Sequence, residues 1–169
     1  MQRLFKNLKY TILLAVLIWS ACKIEGGFPE IPVISNPSIA LVKNQEGVDS
    51  IGKLKFSFTD GDANIGLSQR DTVPPFDLNL FIDYYELIEG AYKKVTVPNP
   101  NGTVDTINFN GRIPLLNENG TTVDLQGEIT QTINVLFAAS DSIKLEFYIK
   151  DRSLNKSNKL TLAPIVLTK

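Results

Sequence analysis

Hydrophobic residues recur at every second position through most of this chain, and that alternation restricts the possible folds more than any other feature. It is cleanest in KLKFSFT (residues 53–59) and SIKLEFYIK (142–150), where apolar and polar residues alternate. FDLNLFIDYY (76–85) and EITQTINVL (128–136) show the same period. A period of two predicts β-strands with one buried face, and no stretch shows a convincing helical period. The sequence therefore predicts an all-β fold.

Turn-forming residues separate the predicted strands. Asp60-Gly61 and Glu89-Gly90 are two such pairs, and Asn119-Gly120 is a pair that favours a type I′ hairpin. About seven strands at this spacing predict an immunoglobulin-like sandwich of two sheets over residues 38–169. Residues 86–127 hold more loop than a minimal domain of this kind requires.

The N-terminal 21 residues have the composition of a secretory signal peptide. Three basic residues precede an apolar run of nine residues, TILLAVLIW, which is too short to span a bilayer as a helix. Ser20 and Ala21 then stand directly before Cys22, the only cysteine of the chain. The sequence W-S-A-C resembles the lipobox of bacterial lipoproteins, which implies that residues 1–21 are removed and that the Cys22 thiol is acylated. The alternatives are an ordinary secreted protein with a free thiol and an uncleaved signal anchor.

Residues 22–37 are rich in Gly and Pro and are predicted to form a lipid-anchored tether that leads into a first edge strand. From Cys22 onward the chain has 14 basic and 18 acidic residues, a net charge of −4. A mildly acidic surface argues against nucleic acid as a partner. We therefore expect the membrane contact to be made by the acyl chains, and the partner to be an unknown envelope protein or glycan.

The composition excludes most catalytic chemistry. The chain has no histidine, and its one cysteine is assigned to the anchor. Ser-His-Asp and Cys-His arrangements therefore cannot be built, and neither can the usual zinc, copper and non-haem iron sites. A pair of carboxylates for glycoside hydrolysis is the only plausible catalytic form, and nothing in the sequence marks such a pair. We expect a protein that is not an enzyme.

The segment TDGDANIG (59–66) is the one motif with chemical content, because Asp60, Asp62 and Asn64 present oxygen side chains at alternate positions. Calcium loops have this spacing. An EF-hand is rejected, since Ile65 occupies the sixth place of the loop and no helices flank it. The alternative is a turn in which these side chains bond their own backbone.

A second polar cluster, KDRSLNKSN (150–158), follows another predicted strand. In an immunoglobulin-like sandwich the loop after the second strand and the loop before the last strand lie at the same end. Asp151, and with it Asn155, can then face Asp60 and Asp62. Calcium is the one cofactor that the sequence raises, at Asp60, Asp62, Asn64 and Asp151, and none is required for the predicted fold.

Three segments carry a family resemblance, namely FSFTDGDANIG, NLFIDYYE and FYIKDRSLNKSN. They resemble a group of uncharacterised lipoproteins from the Bacteroidetes, over most of residues 54–160. In that group the first motif more often reads D-G-D-G-D-I-G, so Ala63 and Asn64 stand here in place of a glycine and an aspartate. The resemblance implies an immunoglobulin-like sandwich and a place in the cell envelope, on either face of the outer membrane.

Three tyrosines offer a different kind of site. Tyr84, Tyr85 and Tyr92 are candidates for a platform on which sugars stack, although tyrosine at a period of two is more often packed in the core or across strands. The sequence thus predicts a non-catalytic envelope lipoprotein that serves as a binding or spacer module. The alternative is a carbohydrate-binding accessory lipoprotein of a polysaccharide uptake system.

Overall fold

The computed structural model describes residues 27–116 and 124–169, and within them the fold is all-β, as predicted. These two ranges contain nine strands and no helix. Accordingly, nothing in these two ranges forms a helix long and apolar enough to cross a membrane. The strands are β1 (Val33–Lys43), β2 (Asp49–Asp60), β3 (Leu80–Ile88), β4 (Ala91–Lys94), β5 (Thr96–Pro98), β6 (Val104–Thr106), β7 (Leu125–Asn134), β8 (Ser142–Ile149) and β9 (Leu160–Val166).

The strands form two main sheets and one small one. The first sheet has the order β1-β2-β7, the second has the order β4-β3-β8-β9, and β5 and β6 form a separate hairpin. Every strand pair is antiparallel. The two main sheets pack face to face, since one hydrophobic cluster draws its buried residues from both. The described part of the chain is therefore a β-sandwich.

The alternation of the sequence places the core between the sheets. β2 buries Leu54, Phe56 and Phe58, and their polar neighbours point outward. In the second sheet β8 buries every second residue in the same way. Phe56 and Phe147 meet across the core with ring centres 5.1 Å apart. Full burial of such a side chain contributes roughly 1.5–3 kcal/mol, so this interface is the main source of stability.

Strand β3 is shorter than the sequence pattern indicates. The alternation predicts that Phe76 and Leu78 lie in the strand, but β3 begins only at Leu80. Residues 74 and 75 are prolines, which have no N–H for a ladder hydrogen bond. The Phe76 N–H instead donates to Val73 O in a turn (2.9 Å). Residues 61–79 therefore form one long loop, which we call the β2–β3 loop.

The folded part of the chain also reaches closer to the N-terminus than predicted. Strand β1 starts at Val33, so the expected boundary between tether and domain at residue 38 falls inside a strand. A register shift between Ser35 and Ser38 accommodates Pro37 without ending the strand. The predicted tether, residues 22–37, thus contributes its last five residues to the sandwich.

The antiparallel order gathers two loops at one end of the sandwich. β2 ends and β3 begins there, and β8 ends there before the β8–β9 loop (150–159). We call this the aspartate end, because it carries Asp60 and Asp151. The opposite end carries Glu86, near the end of β3, and the loop of residues 135–141; we call it the glutamate end.

Candidate cation site

Three carboxylates converge at the aspartate end. Asp60, Asp62 and Asp151 each place one oxygen within 4.8 Å of the others. Two of these residues come from the end of β2 and the β2–β3 loop, and the third comes from the β8–β9 loop. The structure thus brings together three of the four residues that the sequence nominated for a cation.

Asp60 lies on the core side of β2, in register with Phe56 and Phe58, and its side chain is 0% exposed. Its Oδ2 accepts a hydrogen bond from the Ile65 N–H (3.0 Å). Its Oδ1 is buried and meets no hydrogen-bond donor in the described part of the chain. Burial, and then repulsion from Asp62, raise the pKa of Asp60 from 3.8 to about 6. A charged group therefore occupies a position that the protein alone compensates incompletely.

Asn64 carries the second unpartnered oxygen. Its Oδ1 is buried without a hydrogen-bond donor among the described residues. Its amide nitrogen donates to Asp62 Oδ2 (2.5 Å) and to Ser153 Oγ (3.1 Å). Ala63, just before it, adopts the left-handed region (φ 53°), which an alanine reaches only with strain. The loop thus turns the Asn64 amide toward the neighbouring carboxylate and the β8–β9 loop.

Asp151 is 2% exposed and is held by its own loop. Its Oδ1 accepts from the Asn155 N–H (2.7 Å), and its Oδ2 accepts from Asn155 Nδ2 (2.8 Å). Asn155 therefore positions Asp151 by donating hydrogen bonds to it. Because each carboxylate oxygen has two lone pairs, Asp151 retains capacity for a further partner.

Arg152 joins the two loops beside the carboxylates. Its N–H donates to Asn64 O (3.4 Å), and its guanidinium pairs with Asp71 Oδ2 (2.6 Å). This hydrogen bond is the main reason why the pKa of Asp71 lies below its usual range. Asp71 would occupy the twelfth place of an EF-hand loop, and here it binds an arginine. This contact agrees with the rejection of an EF-hand.

Arg112 fixes the β2–β3 loop from a distant part of the chain. Its guanidinium donates to the backbone carbonyls of Ser68 (2.9 Å), Asp77 (2.7 Å) and Asp71. The sequence pattern does not predict this role of Arg112. No local signal points to it, since its partners lie 35 to 44 positions earlier.

The three tyrosines do not form one platform. Tyr84 is 0% exposed in the core, and its hydroxyl donates to Glu86 Oε1 (2.8 Å). Its predicted role in sugar binding is therefore wrong, because a stacking ring must reach solvent. The buried side and the outer side of β3 alternate, so Tyr84 faces inward and Tyr85 faces outward.

Tyr85 and Tyr92 share the outer face of the second sheet, but Lys144 covers them. The Lys144 ammonium lies 4.0 Å from the ring centre of Tyr85 and 5.8 Å from that of Tyr92. The Tyr85 hydroxyl donates to Glu146 (3.1 Å). Burial and this contact raise the pKa of Tyr85 to about 12. Cation–π packing thus uses the ring surface that a sugar would need.

The donor set at the aspartate end suits a hard cation. It consists of the three carboxylates. The Asn64 amide beside them presents its nitrogen to Asp62, and its oxygen has no donor among the described residues. Calcium takes six to eight oxygen ligands in flexible geometry, whereas magnesium requires a near-ideal octahedron. No family model, curated protein or solved structure matches this chain. Cys22 lies outside the described residues.

Proposed function

We propose that this chain is a non-catalytic lipoprotein of the cell envelope, anchored to the outer membrane through acylated Cys22. Its sandwich serves as a binding or spacer module and holds one calcium ion at the aspartate end. The convergence of Asp60, Asp62 and Asp151 carries the calcium part, together with the buried Asp60 Oδ1, which has no donor among the described residues. The lipobox-like sequence before Cys22 carries the anchor.

The strand order supports an immunoglobulin-like architecture. In such domains the first, second and fifth core strands share one sheet, and the third, sixth and seventh share the other. Here β1, β2 and β7 lie together, and β3, β8 and β9 lie together. β4 extends the second sheet beside β3, as the additional strands of variable-type domains do. The β5–β6 hairpin lies in the region 86–127, where extra loop was expected.

A melting-temperature measurement tests the calcium site. At free calcium a hundredfold above its dissociation constant, binding stabilises the folded chain by about 2.7 kcal/mol. For a domain of this size the melting temperature should rise by about 5–10 °C. Magnesium should give much less, because it dehydrates reluctantly and requires octahedral geometry.

Two aspartate variants make this measurement specific. Asp62→Ala should abolish the calcium response, since it removes one carboxylate of the cluster. Asp105→Ala removes an exposed aspartate on β6 and should respond like the wild type. Equal melting temperatures in millimolar calcium and in chelator would reject the site and leave the turn interpretation.

Metabolic labelling with a palmitate analogue tests the anchor. Cys22→Ala should remove the label, because Cys22 is the only cysteine of the chain. Ser20→Ala keeps a small residue before the cleavage point and should retain the label. Label that persists in Cys22→Ala would contradict the lipoprotein assignment.

The carbohydrate-binding alternative has less support from the geometry. Tyr84 is buried, and Lys144 lies over Tyr85 and Tyr92. A glycan array on the chain from Cys22 onward tests it directly: sugar binding that is lost in Tyr85→Ala would favour an accessory protein of polysaccharide uptake.

A further inference from the structure

The segment that leads from the tether into the sandwich packs directly on the loop of candidate ligands. Gly61 stands between Asp60 and Asp62, and its N–H donates to Pro29 O (2.8 Å). The approach is so close that a Cβ on Gly61 would lie 1.9 Å from Phe28 O. Only a glycine at this position allows the contact.

Asp124 completes the attachment. The Phe28 N–H donates to Asp124 Oδ1 (2.8 Å), and the Asp124 N–H donates to Gly61 O (3.3 Å). Phe28, Pro29, Gly61 and Asp124 therefore form a small hydrogen-bonded unit at the aspartate end. We call this unit the N-terminal clasp. It holds the chain at a point six residues after Cys22.

A second, independent attachment lies further along the chain. The Asn158 side chain accepts from the Ile34 N–H and donates to Ile34 O, both at 2.8 Å. Ile34 itself is buried and lies in β1 opposite Phe58 of β2. If the N-terminal clasp opens, the chain is still fixed from Ile34 onward.

We propose that calcium closes the N-terminal clasp and thereby sets the free length of the tether. This inference rests on the proposed calcium site and anchor. Asp60 and Asp62 flank Gly61, so the distance between their carboxylates decides where the Gly61 backbone lies. A bound cation draws these carboxylates together, whereas without it their charges repel across less than 4.8 Å. Calcium occupancy thus changes the position of the Gly61 N–H, and with it the hydrogen bond to Pro29 O.

The change in tether length is large in comparison with the domain. With the clasp closed, six residue steps separate Cys22 from Phe28 and span at most about 20 Å. With the clasp open, twelve steps separate Cys22 from Ile34 and span at most about 40 Å. Calcium would therefore hold the aspartate end close to the membrane, and its loss would let the sandwich move away.

Proteolysis at Glu30 measures the state of the clasp. Glu30 follows Pro29 directly, and a glutamate-specific protease cuts there once the segment leaves the sandwich. The rate follows the population of the open form. Two hydrogen bonds hold the segment, one to the Gly61 N–H and one to the Asp124 carboxylate. We therefore expect cleavage about tenfold slower in calcium than in chelator. The measurement uses the chain from Cys22 onward, and mass spectrometry follows the fragment that begins at Ile31.

An internal control and two variants make the assay specific. Cleavage at Glu46, exposed in the turn between β1 and β2, should proceed at one rate under both conditions. Gly61→Ala should be cleaved rapidly at Glu30 with or without calcium, because its Cβ displaces Phe28, while calcium still raises its melting temperature. Gly111→Ala should behave like the wild type, since its Cβ would meet only the Gln131 side chain at 3.4 Å.

The outcomes separate this inference from the proposed function. If calcium raises the melting temperature but leaves the cleavage rate at Glu30 unchanged, the clasp proposal is contradicted and the calcium site is supported. Calcium that changes neither quantity would overturn both. Slow Glu30 cleavage in calcium that becomes rapid in Asp62→Ala and in Gly61→Ala would support the clasp.

Discussion

Each end of the sandwich holds a buried carboxylate, Glu86 at the glutamate end and Asp60 at the aspartate end. The two differ in how completely hydrogen bonds satisfy their oxygens. Glu86 is 3% exposed and accepts hydrogen bonds from the Tyr84 hydroxyl and from the backbone N–H groups of Ala139 and Ser140. Asp60 is 0% exposed, and one of its oxygens has no donor in the described ranges. The glutamate end is complete within the chain, whereas at the aspartate end the described residues supply no donor for Asp60 Oδ1.

The difference indicates that Glu86 is a structural carboxylate, whereas Asp60 is available to a ligand. Burial of a carboxylate costs several kcal/mol unless hydrogen bonds or an opposite charge compensate it. At Glu86 the loop of residues 135–141 supplies that compensation and is itself fixed by it. At Asp60 one oxygen has no donor among the described residues, and burial raises the pKa of the carboxyl. We infer that a cation supplies the missing compensation.

Removal of Glu86, whose carboxylate is fully hydrogen-bonded, should have the largest effect on the free energy of unfolding. Glu86→Ala leaves the Tyr84 hydroxyl and the N–H groups of Ala139 and Ser140 without their acceptor. The free energy of unfolding should fall by about 3 kcal/mol, and by the same amount in calcium and in chelator. Urea unfolding measures both values. A loss below about 1 kcal/mol would mean that Glu86 does not fix its loop.

Neutralisation of Asp60 should have the opposite effect, an increase in the free energy of unfolding in chelator. In chelator the raised pKa of Asp60 means that stability is lost as the pH rises from about 4 through 6, because the folded chain must release a proton that it holds more tightly than the unfolded chain. Asp60→Asn removes this loss and should be more stable than the wild type at pH 7, on the order of 2 kcal/mol.

Urea unfolding between pH 4 and pH 7 in chelator measures this effect. The difference between the two proteins should shrink toward pH 4, where the folded Asp60 is protonated and the unfolded carboxyl is near its own pKa of 3.8. Asp60→Asn should also lose its response to calcium. Lower stability of the variant at pH 7 would show that Asp60 is already compensated within the chain.

Removal of the ion pair that links the β2–β3 loop to the β8–β9 loop should have the smallest effect. Arg152→Ala removes the partly exposed ion pair with Asp71, and such pairs contribute little to stability. Because the β2–β3 loop then loses its side-chain link to the β8–β9 loop, calcium affinity should fall by about threefold, which calorimetry can resolve. Lys94→Ala removes a comparable pair with Asp83 on the other face and should leave the affinity unchanged. Equal affinities in both variants would show that Arg152 does not organise the site.

The sequence predicted the fold where the pattern was local. The alternation around Phe56 and Phe147 marked β2 and β8, because a period of two depends only on neighbouring residues. The same register places Asp60 on the core side of β2, which is the clearest sequence signal that its carboxylate is buried. The same alternation in FDLNLFIDYY places Tyr84 on the buried side of β3 with Ile82. This position argues against a role of Tyr84 in sugar stacking.

Contacts between distant segments could not be predicted. Glu86 receives hydrogen bonds from residues 53 and 54 positions later, and nothing near it in the sequence indicates them. Phe76 follows the strand pattern but lies in a turn, because the preceding prolines prevent pairing. Phe28 and Pro29 looked like tether, and only the fold shows that they dock on Gly61.

A crystal structure of the chain from Cys22 onward, grown in calcium and measured at long wavelength, tests the central claim most directly. We expect one anomalous peak at about 2.3–2.6 Å from carboxylate oxygens of Asp60, Asp62 and Asp151, with the amide oxygen of Asn64 among its ligands. Absence of that peak, with Asp60 Oδ1 hydrogen-bonded inside an unchanged loop, would show that the aspartate end is as complete as the glutamate end and would contradict the account.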